Sequence, residues 1–432
     1  MITPLTPNSQ AILLLTAPLI TGNSETRPDL LTPGEYNRLA RCLREAQLQP
    51  ADLIGADSKA LIKRCAGTIE HERLESLLGR GFLLSQAVDR WNARAIWVVS
   101  RADAAYPRRI KVRLKEDAPP VLYGCGEIEL LDAGGLAVVG SRHVDDELIA
   151  YTEEVGKLTA KAHRPVISGG AKGIDRAAMH GALQVGGKVM GVLSDKLEQA
   201  ALARDNREAL MDKRLVFISP YDPAAGFNVG HAMQRNKVIY ALSDAALVVT
   251  SDFNKGGTWA GAIEQLDRLH FVPVFVRNGV IAGKGNAALV KAGALPWPNP
   301  VDSTGMDELL SNLEEASMSE PKPETLSLFA HQDSVGYSID KPVQPPQTGH
   351  DNNPVPISIA SPAASDELFG KVREILVREL DKPRSEPEIV ELLGVSKPQV
   401  KEWLKKLLED GTIEKLARPA RYHAARASDR LL

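Results

Sequence analysis

The sequence predicts an α/β protein built on a doubly wound, mainly parallel, Rossmann-like sheet, with a helical N-terminal domain and a C-terminal winged helix. Short apolar runs recur from Leu136 to Val276, and the polar stretches between them carry helical periodicity. Glycine-containing turns end the first two of these runs, which is the pattern of βαβ units with parallel strands. A stretch rich in Pro, Ser and Gln then precedes a last segment patterned as three helices and a hairpin. The boundaries fall at 1–94 for the helical domain, 95–312 for the Rossmann-like domain, 313–365 for a flexible linker and 366–432 for the winged helix.

Composition bounds the function. A chain of 432 residues with 44% hydrophobic residues has material for two or three domains with a substantial core. Its net charge of −3 means that any nucleic-acid site must concentrate positive charge on one face. Cys42, Cys65 and Cys125 form no CxxC pair, so neither a disulfide framework nor a zinc ribbon is indicated, and a reducing, cytoplasmic setting is expected. The run Ile12-Leu13-Leu14-Leu15 is short and stopped by Pro18, which fits a buried helix rather than a signal sequence or a membrane segment.

In the N-terminal region, Thr32-Pro33-Gly34-Glu35 reads as a helix start with proline just inside it, continued by Leu39, Leu43 and Ala46. Pro50–Leu53 and Ile69–Leu74 read as further short helices. This region is either a cap packed on the sheet or a partner-binding module. Ile96–Val99 is the first strand, and Tyr106 and Tyr123 are read as packing residues in preference to base-stacking ones.

The central unit opens with the strand Leu136–Val139, which runs into Gly140-Ser141-Arg142. A helix carrying Leu148, Ile149, Tyr151, Val155, Leu158 and Ala162 leads to a second strand, Pro165–Ile167, and to Ser168-Gly169-Gly170-Ala171-Lys172-Gly173-Ile174-Asp175. Both turns should lie on the rim formed by the carboxyl ends of the strands, where parallel sheets bind ligands. Glycines admit close backbone approach, helix starts offer N–H groups, and Arg142 and Lys172 add positive charge, so the expected ligand is a phosphate. The alternative is glycine used only to turn tightly; the spacing fits neither the dinucleotide fingerprint nor the Walker loop. Further strands are expected at Val189–Leu193, Val216–Ser219, Ala246–Thr250 and Phe271–Val276, with Pro273 near an edge or strand end.

Gly140-Ser141-Arg142, then Ser168–Asp175, then His180-Gly181-Ala182-Leu183, in that order and spacing, resemble the DprA/Smf family of DNA-processing proteins. The resemblance implies an extended Rossmann-like domain that binds single-stranded DNA, self-associates and helps load RecA, without catalysis and without a cofactor. Gln234-Arg235-Asn236-Lys237 is similar to the family's Arg-Asn-Arg segment, with Lys237 keeping the charge of the second arginine but not its bidentate fork. The family's preceding Phe-Pro pair is replaced by Gly230-His231-Ala232-Met233, with Phe227 earlier. Asn254-Lys255-Gly256-Gly257-Thr258 offers N–H groups, a lysine and a hydroxyl to an anion. It also resembles the phosphate loop of lysine-decarboxylase-like phosphoribohydrolases, but Glu264 lies too far from Thr258 for that pattern.

The expected nucleic-acid contacts are therefore Gly140, Ser141, Arg142, Ser168, Gly169, Gly170, Lys172, Gly173, Arg235, Asn236, Lys237, Lys255, Gly256, Gly257 and Thr258. Asp175 is expected to fix its loop, and His180, with no second histidine at ligand spacing, to fill a polar structural role; no metal site is expected. In the C-terminal segment Lys397, Gln399, Lys401, Arg418 and Arg421 are the expected winged-helix contacts to duplex DNA, with protein contact as the other use of such domains. The second functional class is a sensor or hydrolase for a nucleotide or nucleotide-derived second messenger bound on the same rim, acting in defence against foreign DNA.

Overall fold

The computed structural model describes residues 5–20, 28–55, 61, 69–278, 284–319, 373, 376–393, 400, 403–404, 407–408, 410, 412–417 and 420–424. The chain divides into two compact units, Met1–Leu328 and Phe329–Leu432.

Apolar β-branched runs supply the first unit with a nine-stranded sheet. Its strands are β1 (Trp97–Ser100), β2 (Val121–Gly126), β3 (Leu136–Gly140), β4 (Val166–Ser168), β5 (Val189–Val192), β6 (Leu215–Ser219), β7 (Ala245–Thr250), β8 (Val274–Val276) and β9 (Leu295–Pro296). They are ordered β1-β2-β6-β5-β4-β3-β7-β8-β9. From β6 to β9 every neighbouring pair is parallel, whereas β2 runs antiparallel to both β1 and β6. Alternate residues serve opposite faces, and both faces are covered. Val138, Val166, Val189 and Leu247 pack beneath the helices Asp146–Lys161 and Ile174–Gln184. Val139, Ile167, Met190 and Val248 pack with Ile110 of the helix Arg108–Leu114 and Val238 and Ile239 of the helix Val229–Leu242. Burial on two faces is why these strands read as continuous apolar runs without alternation.

Strand order locates the ligand crevice. From β3 the chain winds outward through β4, β5 and β6, then returns to β7 on the other side of β3 and continues to β8 and β9. The reversal leaves a gap outside the carboxyl ends of β3 and β7, the position where open α/β sheets take ligands. The pairing of these two strands starts at Leu136 opposite Ala245 and shifts register between Val139 and Gly140, at the edge of that gap.

The N-terminal helices continue the core on one face of the sheet. Pro7–Thr16 buries Ile12 to Leu15, and Pro33–Glu45 begins with a capping box in which Thr32 and Glu35 each satisfy the other's backbone N–H. Arg73, on the helix His71–Leu78, binds Glu35 through Nη1 at 2.8 Å. Trp91, on the helix Gly81–Asn92, meets Tyr123 of β2 edge to face at 5.1 Å. Tyr106 and Tyr123 are both buried, and Tyr106 donates its hydroxyl to Pro119 O at 2.8 Å. The strand expected over 271–276 is reduced to Val274–Val276; Pro273 lies just before it, its carbonyl accepting Ala246 N–H.

In the second unit, the helix Glu386–Leu393 is followed by the antiparallel pair β10 (Ile413–Ala417) and β11 (Ala420–Ala424). Leu376, Leu380, Ile389, Val400, Leu404, Leu407, Ile413 and Tyr422 form its core. Lys397, Gln399, Lys401 and Arg418 lie outside the described residues, and Arg421 is placed on β11 by its backbone. Among the described residues no helix is long and apolar enough to cross a membrane, and no group of His, Cys, Asp and Glu is arranged to hold a metal.

Candidate nucleic-acid interface

Three chain segments meet at the crevice. The first is the end of β3, where Gly140 O accepts a hydrogen bond from Thr258 Oγ1 at 3.0 Å. This bond ties the end of β3 to the start of the helix Gly256–Glu264. The second is the loop after β4, in which Gly170 and Gly173 adopt φ of 67° and 81°, conformations that favour glycine. Ile174 N–H closes that loop on Ser141 O at 3.4 Å. The third is the start of the helix Val229–Leu242, capped by Asn228, whose side chain accepts from His231 N–H.

Together with residues 252–263, which follow β7, they line an open cavity of ≈ 830 Å³. Of the sequence-expected residues, Gly140, Ser141, Arg142, Arg235, Asn236, Lys255, Gly256, Gly257 and Thr258 line it. Ser168, Gly169, Gly170, Lys172, Gly173 and Lys237 do not, although Ala171 and Asp175 of the same loop do. Ser168 is buried with its hydroxyl donated to Val138 O at 2.6 Å, so it serves the sheet. Lys172 is exposed outside the cavity. His180, on an exposed helix face, places Nδ1 3.0 Å from Glu153 Oε1.

The charged groups divide into free and committed ones. Arg142 is exposed, with its guanidinium 5.3 Å from the centre of the Phe227 ring. Lys255 is also exposed and precedes a helix start that has no side-chain cap, so the first N–H groups of Gly256–Glu264 face the opening. Asn236 Nδ2 donates to Gly257 O at 3.0 Å and fixes that helix start against its neighbour. Arg235, by contrast, is only 5% exposed and donates from Nη1 to Val192 O at 2.5 Å. Burial pushes its pKa down, and Asp175 acts against that shift. Asp175 is buried as well: desolvation raises its pKa, while Arg235 and hydrogen bonds from the backbone of Ala171, Gly140 and Gly169 lower it. Lys237 Nζ lies 3.5 Å from Glu264 Oε1, and Glu264 also pairs with Arg268.

The sequence reading missed the apolar part of the site. Phe227, Met233 and Trp259 line the cavity, and Phe227 and Met233 are exposed. The signal was present in Gly226-Phe227-Asn228, an aromatic residue in a loop otherwise composed of turn formers and small residues.

The profile of the DNA recombination-mediator protein A family matches residues 97–304, a span that contains every residue lining this cavity. Residues 97–304 thus carry the domain of the DprA/Smf family. Protein Smf of Escherichia coli is 32% identical over 209 residues, which cover 46% of this chain and 52% of that protein. DNA processing protein DprA of Streptococcus pneumoniae is 30% identical over 171 residues, covering 39% of this chain and 60% of that protein. The chain thus spans about half the length of the curated relatives it matches. The crystal structure of the Streptococcus pneumoniae DprA superposes with a TM-score of 0.52 at 20% identity, covering 70% of this chain and 98% of that one. At that identity the likeness concerns the fold, and the DprA/Smf-type sheet is what the two have in common.

Proposed function

We propose that this chain binds single-stranded DNA along the carboxyl rim of its sheet and acts in DNA processing or recombination as a mediator rather than an enzyme. The observation that carries this reading is the convergence, at the β3–β7 crevice, of Arg142, Lys255 and an uncapped helix start on one cavity. Such a group offers charge-assisted and backbone hydrogen bonds to phosphate oxygens. A concave site with cationic walls and aromatic residues suits a flexible single strand, whose bases are free to turn inward. Arg142 and Lys255 are the direct phosphate contacts, Gly140, Ser141, Asn236, Gly256, Gly257 and Thr258 shape the walls, and Lys172 extends the track outside the cavity. Arg235 and Lys237 act through Asp175 and Glu264. Glu264 is committed to two cations, which weakens its standing as a general acid or base.

The family domain supports the wider assignment: contact with RecA, self-association through the sheet domain, a cytoplasmic location, and duplex or partner contact by a winged helix in residues 366–432. A second reading, a nucleotide or nucleotide-derived messenger as ligand, is favoured by the cavity volume of ≈ 830 Å³, which falls in the ~300–1,000 Å³ range of small-molecule sites. Titration with single-stranded DNA and with a nucleotide panel, each across salt concentration, separates the two. DNA binding that weakens steeply with salt supports the first reading. Tight nucleotide binding with no measurable DNA affinity overturns it.

A further inference from the structure

One side of the crevice mouth is a loop held in place from the N-terminal region. Residues 220–227 follow β6 and end at Phe227, which lines the cavity and faces the Arg142 guanidinium at 5.3 Å. Asp222, within this loop, is 3% exposed, and both its carboxylate oxygens are engaged. Oδ1 accepts Ala224 N–H at 2.9 Å and shapes the loop itself, whereas Oδ2 accepts Ile20 N–H at 3.2 Å, from a residue 202 positions away. Arg90, on the helix Gly81–Asn92, secures that contact: Nη1 donates to Ile20 O at 3.1 Å and Nη2 to Glu198 Oε2 at 2.6 Å. Glu198 lies in the first turn of the helix Leu197–Leu202, and its own N–H donates to Pro223 O at 3.2 Å, back in the loop. One guanidinium thus braces the loop by two routes, through Ile20 and Asp222 and through Glu198 and Pro223.

A brace between the N-terminal helices and the sheet would serve stability alone if it ended in the core; this one ends at the site. Tyr221, next to Asp222, stacks on His231 with ring centres 3.7 Å apart and planes 8° from parallel. His231 sits in the first turn of the helix Val229–Leu242, whose Ala232, Met233, Arg235 and Asn236 line the cavity. A shift of Asp222 is therefore passed to Phe227 along the loop and to His231 through the ring stack, a contiguous chain of packed and hydrogen-bonded groups. The Glu198 side chain is only 12% exposed, so water screens its pair with Arg90 weakly. We propose that Arg90 is a positioning residue for the crevice: it fixes the loop 220–227, and through it the N-terminal helices set the affinity of a site that the sheet builds. The inference rests on the single-strand reading above for its ligand and gives the N-terminal region a part in that site.

The test uses the full chain, at a temperature where circular dichroism shows each variant folded. Arg90→Met keeps the apolar stem but releases Ile20 and Glu198, and Arg90→Lys keeps the charge but not the fork that reaches both. The first should weaken binding of a labelled thymidine homopolymer, followed by fluorescence anisotropy, about fivefold, the low end for coupled sites; the second should do so by less. In the free protein, burial holds the pKa of His231 below the ordinary 6.5, with Asp195 acting against that shift. Loosening Tyr221 lets water reach the ring, so the His231 titration followed by NMR, assigned with His231→Gln, should move up towards that value in both variants. Arg73→Met is the control for general loosening, since Arg73 ties Asp29, Leu30 and Glu35, all in the N-terminal region. It should lower the melting temperature and change neither readout. Unchanged affinity in Arg90→Met, with or without a moved His231 titration, would overturn the inference, and so would equal losses in Arg73→Met, the mark of a purely structural role. Should Arg90→Met fail to fold, Arg90→Lys carries the same comparison. Failure of the parent protein to bind the strand would instead overturn the single-strand reading, and the His231 titration alone would then decide whether Arg90 holds the loop.

Discussion

The guanidinium of Arg235 lies directly against the Cα of Gly169, in the space where any other residue would carry its Cβ. Glycine at this position makes room for a buried arginine from another helix, not for a ligand. The consequence concerns stability. Gly169→Ala drives a methyl group into Nη1 of Arg235 and must displace either the loop or the bond to Val192 O. Overpacking of this kind costs about 1–3 kcal/mol. Urea unfolding should show a lower midpoint with an unchanged slope, and an unchanged midpoint would mean that Arg235 has another place to go.

Removing the arginine instead leaves a buried carboxylate unaccompanied. Burial already holds Asp175 above the ordinary aspartate range, and Arg235 is the strongest influence pulling it back. Arg235→Met should therefore raise it further. An acid whose folded pKa is raised keeps its proton after the unfolded chain has lost it. Its contribution is fully present below the ordinary value of 3.8 and is lost as pH rises through the folded value. The variant should thus be most destabilised near neutral pH, by about 3–5 kcal/mol, and less so in acid. Thermal unfolding across pH checks this; a deficit that does not vary with pH would show that the two groups are not coupled.

These two residues also mark where sequence reasoning stopped. The strands at Val189, Val216 and Ala246 were legible because burial on both faces demands unbroken apolar runs, and the helix start at Thr32-Pro33 because capping is local chemistry. The Gly140-Ser141-Arg142 turn was legible as part of the cavity lining for a similar reason, since a strand end followed by glycine and arginine carries its chemistry in adjacent residues. Arg235 and Lys237 looked like two more phosphate ligands in a basic segment. Their partners, Asp175, Val192 and Glu264, come from other elements, and no local pattern indicates which cations are already spent. Phe227 was passed over in the same way: its exposure is a tertiary fact, invisible until the cavity around it is known.

The N-terminal capping box should act as an acid-sensitive tie. Arg73 holds Glu35 with hydrogen bonds of 2.8 and 3.2 Å, and Thr32 donates to it from both backbone and side chain. The Arg73 hydrogen bond is the largest of the influences that bring the Glu35 pKa from 4.5 down to about 2. A depressed acid stabilises the fold above its unfolded value, and that contribution is lost as pH falls through the folded one. Glu35→Gln keeps a side chain able to complete the capping box but removes the charge. It should cost about 1 kcal/mol at neutral pH, in keeping with a largely solvent-screened pair. Melting temperatures of parent and variant should converge as pH drops from 4.5 towards 2.

Free and committed cations should separate cleanly in salt titrations. Arg142 has no acidic partner among the described ion pairs, whereas Lys237 is 15% exposed and already faces Glu264. On single-stranded DNA each phosphate contact contributes about 0.7 to the slope of log affinity against log salt. Arg142→Ala should lower that slope by about this amount, while Lys237→Ala should leave it unchanged. Equal slopes for both variants would place Lys237 on the DNA and require the Glu264 pair to open on binding.

The last prediction assigns the single-strand site to one of the two compact units. Met1–Leu328 contains the sheet, both cores that sandwich it and every residue of the cavity, and Phe329–Leu432 has a separate core of its own. A chain ending at Leu328 should therefore fold and keep most of its affinity for single-stranded DNA. In the full chain, Arg142→Ala removes a charge-assisted contact of about 1.5–3 kcal/mol, which is a loss of roughly tenfold or more. Anisotropy titrations of the two proteins should thus rank the point variant below the truncation. Truncation that abolishes binding while Arg142→Ala preserves it would move the single-strand site to residues 366–432. The β3–β7 crevice would then be left to a small nucleotide, the ligand class its volume also fits.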